Sequence, residues 1–414
     1  MKIIKISKII MLMTFTTGLS FFSCTDIPSY PSSGESKVAG SVSSTIDDYT
    51  VVVNPVDAEL SSDFIRGFDS SADTEQSVTY KNTAGNDCEL YETLSNFGVN
   101  WVRLRVWNNP YSSKNPQLPG KSNKSVVVEQ AVRAKNAGLK VLLDFHYSDY
   151  WADPGKQLIP EEWLTCTTSD AMAQKLSDYT KEVLEAMKDA GAEPNMIQIG
   201  NEISSGMLKH KALDSEENAT NADDAVRGDF CNANYFKYLT AGISAVREVC
   251  PDAKIMLHFT DINRNDPESF LSKFTALDYD VVGLSYYAEW SSHGTLDSLG
   301  KKISQIKKTY NKDVVVAETN VHYASDTGVL TSQHKANLVD SGGKVYDGIL
   351  TNENGEIIAS VQNQANIIRA VIEVTAKNGG IGVFEWGGEY LGAWNSMFAG
   401  SGKPLASLVV YGIQ

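Results

Sequence analysis

Two glutamates stand at the ends of short apolar runs that are far apart in the sequence. Glu202 follows Asn201 in "IQIGNEISSG" (197–206), and Glu318 lies in "VVVAETN" (314–320). Two carboxyl groups that face each other can cleave a glycosidic bond, because one protonates the leaving oxygen while the other attacks the anomeric carbon. Glu202 and Glu318 are therefore the candidate catalytic pair, provided that the fold brings them together.

The elements around these glutamates alternate between strand-like and helical patterns. Strand candidates cover residues 64–71, 99–107, 140–148, 196–204, 254–261, 281–288, 314–320 and 380–387. Helix-period segments lie between them, and several end in glycine, as helix C-termini do. Eight repeats in about 350 residues predict an α/β fold, a closed (β/α)8 TIM barrel. The alternative is a doubly wound open sheet, but no glycine-rich phosphate fingerprint follows the first strand.

A barrel would place both glutamates in one cleft. Active sites of this fold lie where the strands end and the βα loops begin. Strands four and seven lie on opposite sides of an eight-stranded barrel, so Glu202 and Glu318 should face each other across its mouth. Polar or aromatic residues also stand at other predicted strand ends, namely Asp69, Trp107, Asp144, His146, Asn201, Asp261, Tyr286, Glu385 and Trp386.

The second strand predicts a positive charge inside the barrel. Strand alternation puts Val102, Leu104 and Val106 on the face toward the helices, and Trp101, Arg103, Arg105 and Trp107 on the lumen face. A buried guanidinium requires carboxylate partners. An arginine beside Glu318 would keep that carboxylate ionised, because a nearby positive charge lowers a carboxyl pKa. The alternative is that Glu318 serves only as a structural ion-pair partner of Arg103.

Six motifs together resemble glycoside hydrolase family 53, the endo-β-1,4-galactanases. They are "VNWVRLRVWNNP", "LLDFHYSDYWADPGKQ", "GNEISSGML", "IMLHF", "GLSYY" and "VVVAET", and the resemblance runs from about Gly67 to the end of the chain. It implies a retaining double displacement on β-1,4-galactan, as in type I arabinogalactan, with Glu202 as acid/base and Glu318 as nucleophile. The residues implied or placed by motif as substrate-binding are Arg103, Trp107, Asp144, His146, Asp149, Asn201, Tyr286 and Trp386.

Several of these side chains have a second interpretation. His146 and Asp149 could hold the third loop by hydrogen bonds instead of touching a sugar. Trp386 and Trp394 could stack on a pyranose ring or belong to the core. Tyr286 and Tyr287 are adjacent, so alternation allows one of them to face the lumen, and the motif favours Tyr286.

Other functions remain open at this level. The formal net charge of −15 disfavours nucleic acid as a partner. Another clan-A β-glycanase, such as a β-mannanase, would share the strand-end glutamates, and the long "HYSDYWADPGKQ" stretch is what favours galactan. A non-catalytic surface glycan-binding lipoprotein should have lost one of the carboxylates, and both are present. A monomer acting on a polysaccharide is expected.

The N-terminus predicts export. Lys2, Lys5 and Lys8 precede an apolar run that ends at "FFSC", which is typical of a secretory signal over residues 1–23. Cys24 resembles the lipidated cysteine of bacterial lipoproteins, so we expect a cell-surface or outer-membrane lipoprotein of a Gram-negative bacterium; ordinary cleavage is the alternative. Residues 24–62 would be a flexible tether, Ser-, Pro- and Gly-rich to residue 48, with the short β segment "YTVVVNP", and residues 63–414 the catalytic domain.

No sequence pattern specifically predicts a cofactor or a disulfide. Some members of the family hold calcium after strands seven and eight, but "NVHYASDTGVLTSQHKANLVD" lacks closely spaced aspartates, which leaves Asp326 or Asp340 as ligands of a structural ion. Catalysis by two carboxylates requires no metal. Cys231 and Cys250 flank one predicted helix and would lie roughly 28 Å apart, too far for a disulfide.

Overall fold

Eight parallel strands close into a barrel in sequence order. The structure is a computed structural model and describes residues 38–110, 121–215, 218–260 and 267–413. The strands are β1 (Ile65–Asp69), β2 (Trp101–Val106), β3 (Lys140–Phe145), β4 (Met196–Ile199), β5 (Lys254–Phe259), β6 (Val281–Ser285), β7 (Asp313–Thr319) and β8 (Gly382–Glu385). The predicted TIM barrel is confirmed, although most of the strands end earlier than their sequence patterns because the polar residues at those ends belong to the loops.

Helices surround the barrel and set the lengths of the βα loops. They are α1 (Leu90–Asn96), α2 (Lys124–Asn136), α3 (Ser169–Asp189), α4 (Ala233–Val249), α5 (Pro267–Leu271), α6 (Leu296–Tyr310), α7 (Ser332–Asn337) and α8 (Val361–Lys377). Six begin at a capping side chain whose oxygen accepts a hydrogen bond from the backbone N–H three residues later: Asn123, Thr168, Asn232, Thr295, Thr331 and Ser360. Such caps satisfy N–H groups that the first helical turn leaves free.

The barrel lumen is apolar at its base and polar above. The base is filled by Ile65, Trp101, Leu142, Met196, Met256, Val281, Val315, Ala317 and Phe384. On β2, Val102, Leu104 and Val106 instead join the core between barrel and helices, which confirms the predicted alternation. Two residues beyond the base, four consecutive strands carry polar side chains that are buried in the lumen: Arg103, Asp144, Gln198 and His258. This polar layer supports the loops that hold Glu202 and Glu318.

A β-hairpin precedes the barrel where part of the tether was predicted. Val42–Ile46 pairs antiparallel with Tyr49–Val53. Val51 and Val53 are fully buried, and the side-chain amide of Gln362 donates a 2.7 Å hydrogen bond to the carbonyl of Val52. The tether prediction is therefore wrong for residues 42–48, because residues 42–46 pair with the second strand, residues 47 and 48 form the turn between them, and Ile46 is buried. The "YTVVVNP" segment does form a strand.

Other predictions for the N-terminal region lie outside the described residues. These are the signal sequence over residues 1–23 and the lipidation of Cys24. Within the described ranges, no helix has the length and apolarity needed to cross a membrane. Cys88, Cys166, Cys231 and Cys250 are free thiols, and α4 separates the last two as expected.

Candidate active site

Glu202 lies in a sharp turn that follows β4. Gly200 and Glu202 have φ values of +81° and +48°, in the left-handed region that side chains with a Cβ seldom adopt. A Cβ at Gly200 would lie 2.6 Å from Cγ2 of Ile203, so only glycine fits there. The conformation at Glu202 costs roughly 1–3 kcal/mol. This turn presents the Glu202 carboxyl to β6, where it lies 2.6 Å from the hydroxyl of Ser285.

Glu318 lies near the end of β7 and is held at both oxygens. Its Oε1 lies 2.8 Å from Nη1 of Arg103, and its Oε2 accepts a 2.8 Å hydrogen bond from the hydroxyl of Tyr287. The pairing of β7 with each neighbouring strand shifts register close to Glu318, and such irregularities re-aim side chains. The carboxylate is therefore fixed in one orientation in the lumen.

The two carboxyl groups interact electrostatically and have different environments. Burial raises the pKa of Glu202 well above its usual range, and the negative charge of Glu318 raises it further. Burial also raises the pKa of Glu318, but the Arg103 guanidinium and the Tyr287 hydroxyl oppose this effect. Glu202 therefore keeps its proton at a pH where Glu318 has lost its own. One acid and one carboxylate facing each other can perform acid-assisted nucleophilic displacement.

Arg103 connects several of the predicted site residues. In addition to its ion pair with Glu318, Arg103 forms ion pairs with Asp69 at 3.0 Å and with Asp144 at 2.8 Å. Its Nη2 also donates a hydrogen bond to Oδ1 of Asn201 at 2.7 Å. The three carboxylates offset the cost of burying one guanidinium. The structure therefore brings Arg103, Asp144 and Asn201 together in one buried cluster.

His146 is also part of this buried layer. Its Nδ1 accepts hydrogen bonds from the Trp107 indole at 3.1 Å and from the backbone N–H of Ala152 at 3.2 Å. The ring proton therefore resides on Nε2, which donates to Asp144 at 3.1 Å. Trp107 is completely buried, which places its ring beneath the cleft surface. The predicted direct contact of Trp107 with sugar does not fit this position.

Asp149 organises loops. Its two oxygens accept hydrogen bonds from the backbone N–H groups of Asn109 and Glu161, each at 2.8 Å. These contacts tie the loop after β2 to the loop after β3. The structure therefore favours the interpretation in which Asp149 holds a loop, and not the one in which it contacts the substrate.

Tyr286 was the wrong choice between the adjacent tyrosines. It packs in the core between barrel and helices, and its buried hydroxyl has no hydrogen-bond partner among the described residues. Gly283 and Ser285 lie on the lumen face of β6, because side chains alternate along a strand, and Tyr287 continues that alternation just after the strand ends. Alternation alone therefore predicts Tyr287, which contacts Glu318, whereas the motif had favoured its neighbour.

An aromatic group lies at one side of the cleft. Trp386 is half-buried, and its ring centroid lies 6.2 Å from Trp151 and 6.3 Å from Tyr390. Arg105 lies over the Trp151 ring at 4.1 Å, a cation–π arrangement that holds this ring in place. Trp394 is 42% exposed, so it is a surface residue and not core. Sequence patterns did not indicate Trp151, because it lies in a loop without strand or helix periodicity.

The two aspartates named as possible calcium ligands, Asp326 and Asp340, lie in the segments after β7. Oδ1 of Asp340 accepts hydrogen bonds from the backbone N–H groups of Gly342 and Lys344, which makes Asp340 a turn former. Asp326 is exposed. Across the described residues, no group of three or more His, Cys, Asp or Glu side chains is placed to hold a metal ion.

Comparisons with known proteins agree with this geometry. The family model for glycosyl hydrolase family 53 matches residues 65–412. An endo-β-1,4-galactanase of Bacillus subtilis is 34% identical over 79% of this chain and 70% of its own length. An arabinogalactan endo-β-1,4-galactanase of Cellvibrio japonicus is 30% identical over 75% of each chain. The solved GH53 catalytic domain of Ignisphaera aggregans superposes with a TM-score of 0.70 at 30% identity, covering 87% of this chain and 98% of that domain. The chain therefore belongs to glycosyl hydrolase family 53.

Proposed function

We propose that this protein is a retaining endo-β-1,4-galactanase that cleaves β-1,4-galactan, including type I arabinogalactan. The observation that carries the proposal is the pairing of Glu202 and Glu318 across the barrel mouth, in environments that separate their pKa values. The family and the galactanase names of its curated relatives support galactan as the substrate.

In the first step, the Glu318 carboxylate attacks the anomeric carbon of the bound galactosyl unit. The bond to the leaving oxygen breaks, and that oxygen takes the proton of Glu202. The products are a covalent galactosyl–Glu318 ester and a shortened galactan chain. Arg103 and Tyr287 aim the Glu318 oxygens and keep them ionised.

In the second step, Glu202 acts as a base. The ester has removed the negative charge of Glu318, so the ionised form of Glu202 is no longer opposed by a neighbouring carboxylate. Glu202 takes a proton from water, the oxygen attacks the anomeric carbon, and Glu318 leaves as carboxylate. Two displacements retain the β configuration. No step requires a metal ion, and we propose that none is needed for catalysis.

Asn201 and the aromatic group formed by Trp386, Trp151 and Tyr390 are placed to bind the substrate. Trp386 and Trp151 are half-buried and contact each other, and the backbone N–H of Trp386 donates to the carbonyl of Thr319, the residue after Glu318. An aromatic ring suits the apolar face of a pyranose. One hydrogen of the Asn201 amide is used by the carbonyl of Ala152 at 2.8 Å, which leaves the second for a sugar hydroxyl. These contacts would set the register of the galactan chain.

A panel of polysaccharides tests the proposal. Purified protein is incubated with β-1,4-galactan, mannan, xylan and cellulose, and the products are sized over time. We expect galactan to break into a mixture of fragments at early times, as internal cleavage requires. Preferred cleavage of mannan would assign another β-glycanase activity. Retention of galactan without cleavage would assign a glycan-binding protein.

We also propose a location for the enzyme. Lipid on Cys24 would hold it at the outer membrane or surface of a Gram-negative cell, with the Ser-, Pro- and Gly-rich residues before the hairpin as a spacer. The proposal rests on the sequence of this segment, and it would place a monomeric catalytic domain within reach of an extracellular polysaccharide.

A further inference from the structure

A chain of hydrogen bonds leads from Arg103 to Glu202, and its first link has a fixed direction. A guanidinium can only donate. Because Nη2 of Arg103 lies 2.7 Å from one terminal atom of the Asn201 side chain, that atom is the amide oxygen. The amide nitrogen of Asn201 then donates to the carbonyl of Ala152 at 2.8 Å. The orientation of the Asn201 amide is therefore set by both of its ends.

The second link fixes the tautomer of His258. Nδ1 of His258 lies 2.9 Å from Oδ1 of Asn201. Because this amide oxygen can only accept a hydrogen bond, Nδ1 must carry a proton. Burial and the positive charge of Arg103 hold the pKa of His258 well below its usual range, so the neutral ring has one N–H, at Nδ1. The amide nitrogen of Gln198 is also 3.2 Å from Nδ1. Its two hydrogens have other acceptors, at Gly200 and Asn201.

The third link leaves Ser285 as an acceptor toward Glu202. With its proton on Nδ1, His258 can only accept at Nε2, which lies 2.9 Å from the hydroxyl of Ser285. A serine hydroxyl has one hydrogen, and Nε2 takes it. Oγ of Ser285 lies 2.6 Å from Oε1 of Glu202 and would donate to an ionised carboxylate there; while its hydrogen is on Nε2 of His258, Ser285 can only accept at this contact. That contact requires a proton on Glu202.

We propose that His258 and Ser285 are positioning residues that hold Glu202 in its protonated form. The inference rests on the proposed function, in which Glu202 is the acid. A hydroxyl that donates to a carboxylate stabilises the ionised form and lowers its pKa. His258 draws the Ser285 hydrogen away from Glu202 and so opposes that effect. The path from Asn201 through His258 and Ser285 is called the relay below.

The relay responds to the catalytic cycle by rotation of one hydroxyl. When Glu202 has given its proton to the leaving oxygen, Ser285 turns its hydrogen from Nε2 of His258 to Oε1 of Glu202. The bond to His258 is lost for that interval. When Glu202 takes a proton from water in the second step, Ser285 returns its hydrogen to His258. The ring itself gains and loses no proton.

Other charges act on the same groups and stay constant in the test. Glu202 is influenced by Glu318 from β7, Arg103 from β2 and Asp153 from the loop after β3. His258 is influenced by Arg103, Asp144 and His146. None of these side chains is changed in the variants below, so a shift that depends on Ser285 reports the relay.

The test is a double-mutant cycle read in the pH profile of kcat/KM. The basic limb of that profile reports the loss of the acid form of Glu202 in the free enzyme. His258→Leu leaves Ser285 free to donate to Glu202, so the limb should move to lower pH by roughly one unit, the effect of one hydrogen bond to a charged group. In a Ser285→Ala background the same substitution should cause no further shift. An equal shift in both backgrounds, or none in either, overturns the proposal.

A direct measurement keeps the test available if His258→Leu does not fold. In protein labelled with 15N at histidine, the ring whose Nε2 signal moves on Ser285→Ala should be protonated at Nδ1 and not at Nε2. A ring protonated at Nε2 overturns the relay direction. The Ser285→Ala change removes one buried atom and leaves the strand pairing intact.

A substrate with a good leaving group separates this proposal from the proposed function. An aryl β-1,4-galactobioside with a dinitrophenyl leaving group needs no acid, so its basic limb should vanish in the wild-type enzyme. A limb that persists with this substrate contradicts Glu202 as the acid. A limb that vanishes there, but does not move in His258→Leu on galactan, contradicts the relay alone.

Discussion

The hydroxyl of Tyr287 donates a 2.8 Å hydrogen bond to Oε2 of Glu318, while Arg103 contacts Oε1 of the same carboxylate at 2.8 Å. Each oxygen therefore has its own donor, one neutral and one charged. Both donors favour the ionised carboxylate and oppose the effect of burial on its pKa. The orientation and charge of Glu318 depend on these two side chains together.

Tyr287→Phe removes the neutral donor and should raise the pKa of Glu318. The acidic limb of the kcat/KM profile should then move to higher pH, and the rate on galactan should fall roughly 10- to 100-fold. Tyr286→Phe is the matched control. Because the Tyr286 hydroxyl has no hydrogen-bond partner among the described residues, this substitution should leave activity unchanged. Equal losses in the two variants would contradict the assignment of Tyr287 to the site.

The barrel could be predicted from sequence because its strands and helices have strong periodic patterns. The alternation of β2 placed Arg103 in the lumen, and the fold then required carboxylates around it. The same alternation gives Gln198, His258 and Ser285, each two or four residues beyond an apolar lumen position, but a neutral polar residue in a strand carries no signal of its own chemistry. The position of Trp151 could not be predicted, because it lies in a loop whose path is set by tertiary contacts.

Glu202→Gln and Glu318→Gln should each lower kcat on galactan by roughly 10³-fold or more while the protein stays folded. The amide keeps the shape of the carboxyl but can neither donate the acid proton nor attack carbon. With a dinitrophenyl galactobioside, Glu202→Gln should recover the first step, since that leaving group needs no proton. Glu318→Gln should not recover. Near-normal turnover of galactan by either variant removes that residue from the mechanism.

Hydrolysis should proceed with retention. Proton NMR of galactan cleavage at early times should show β-configured reducing ends before mutarotation produces the α form. The reason is the double displacement through Glu318, which inverts the anomeric carbon twice. Early appearance of the α form would show that water attacks directly, and Glu318 would then be a base instead of a nucleophile.

Cys24→Ala should release the protein from membranes or block its maturation. The expectation follows from the apolar run that ends at "FFSC" in the sequence. Cell fractions of the wild type and the variant are compared by immunoblot, and radiolabelled palmitate incorporation reports the lipid. Equal recovery of both proteins in the soluble fraction would indicate an ordinary signal sequence.

Glu385→Gln should raise the stability of the enzyme at neutral pH without changing catalysis. Glu385 lies on β8 beside Phe384, a residue of the lumen base, so strand alternation turns Glu385 toward the helices and away from the cleft. Its Oε2 accepts a 2.9 Å hydrogen bond from the N–H of Gly388, while Oε1 has no partner among the described residues. Burial raises the pKa of Glu385 well above its usual range, and the charge of Glu389 adds to the effect.

The sign of the stability change follows from proton linkage. A carboxyl whose pKa is higher in the folded state favours folding most at a pH below its unfolded pKa of about 4.3, and this contribution is lost as the pH rises toward the folded pKa. The amide of glutamine needs no proton, so Glu385→Gln should raise the melting temperature by roughly 2 °C at pH 8 and by less at pH 4.5. Glu353→Gln, at an exposed position, is the control and should change neither value. A lower melting temperature for Glu385→Gln at both pH values would mean that the Glu385 carboxyl makes a contact that the amide cannot replace.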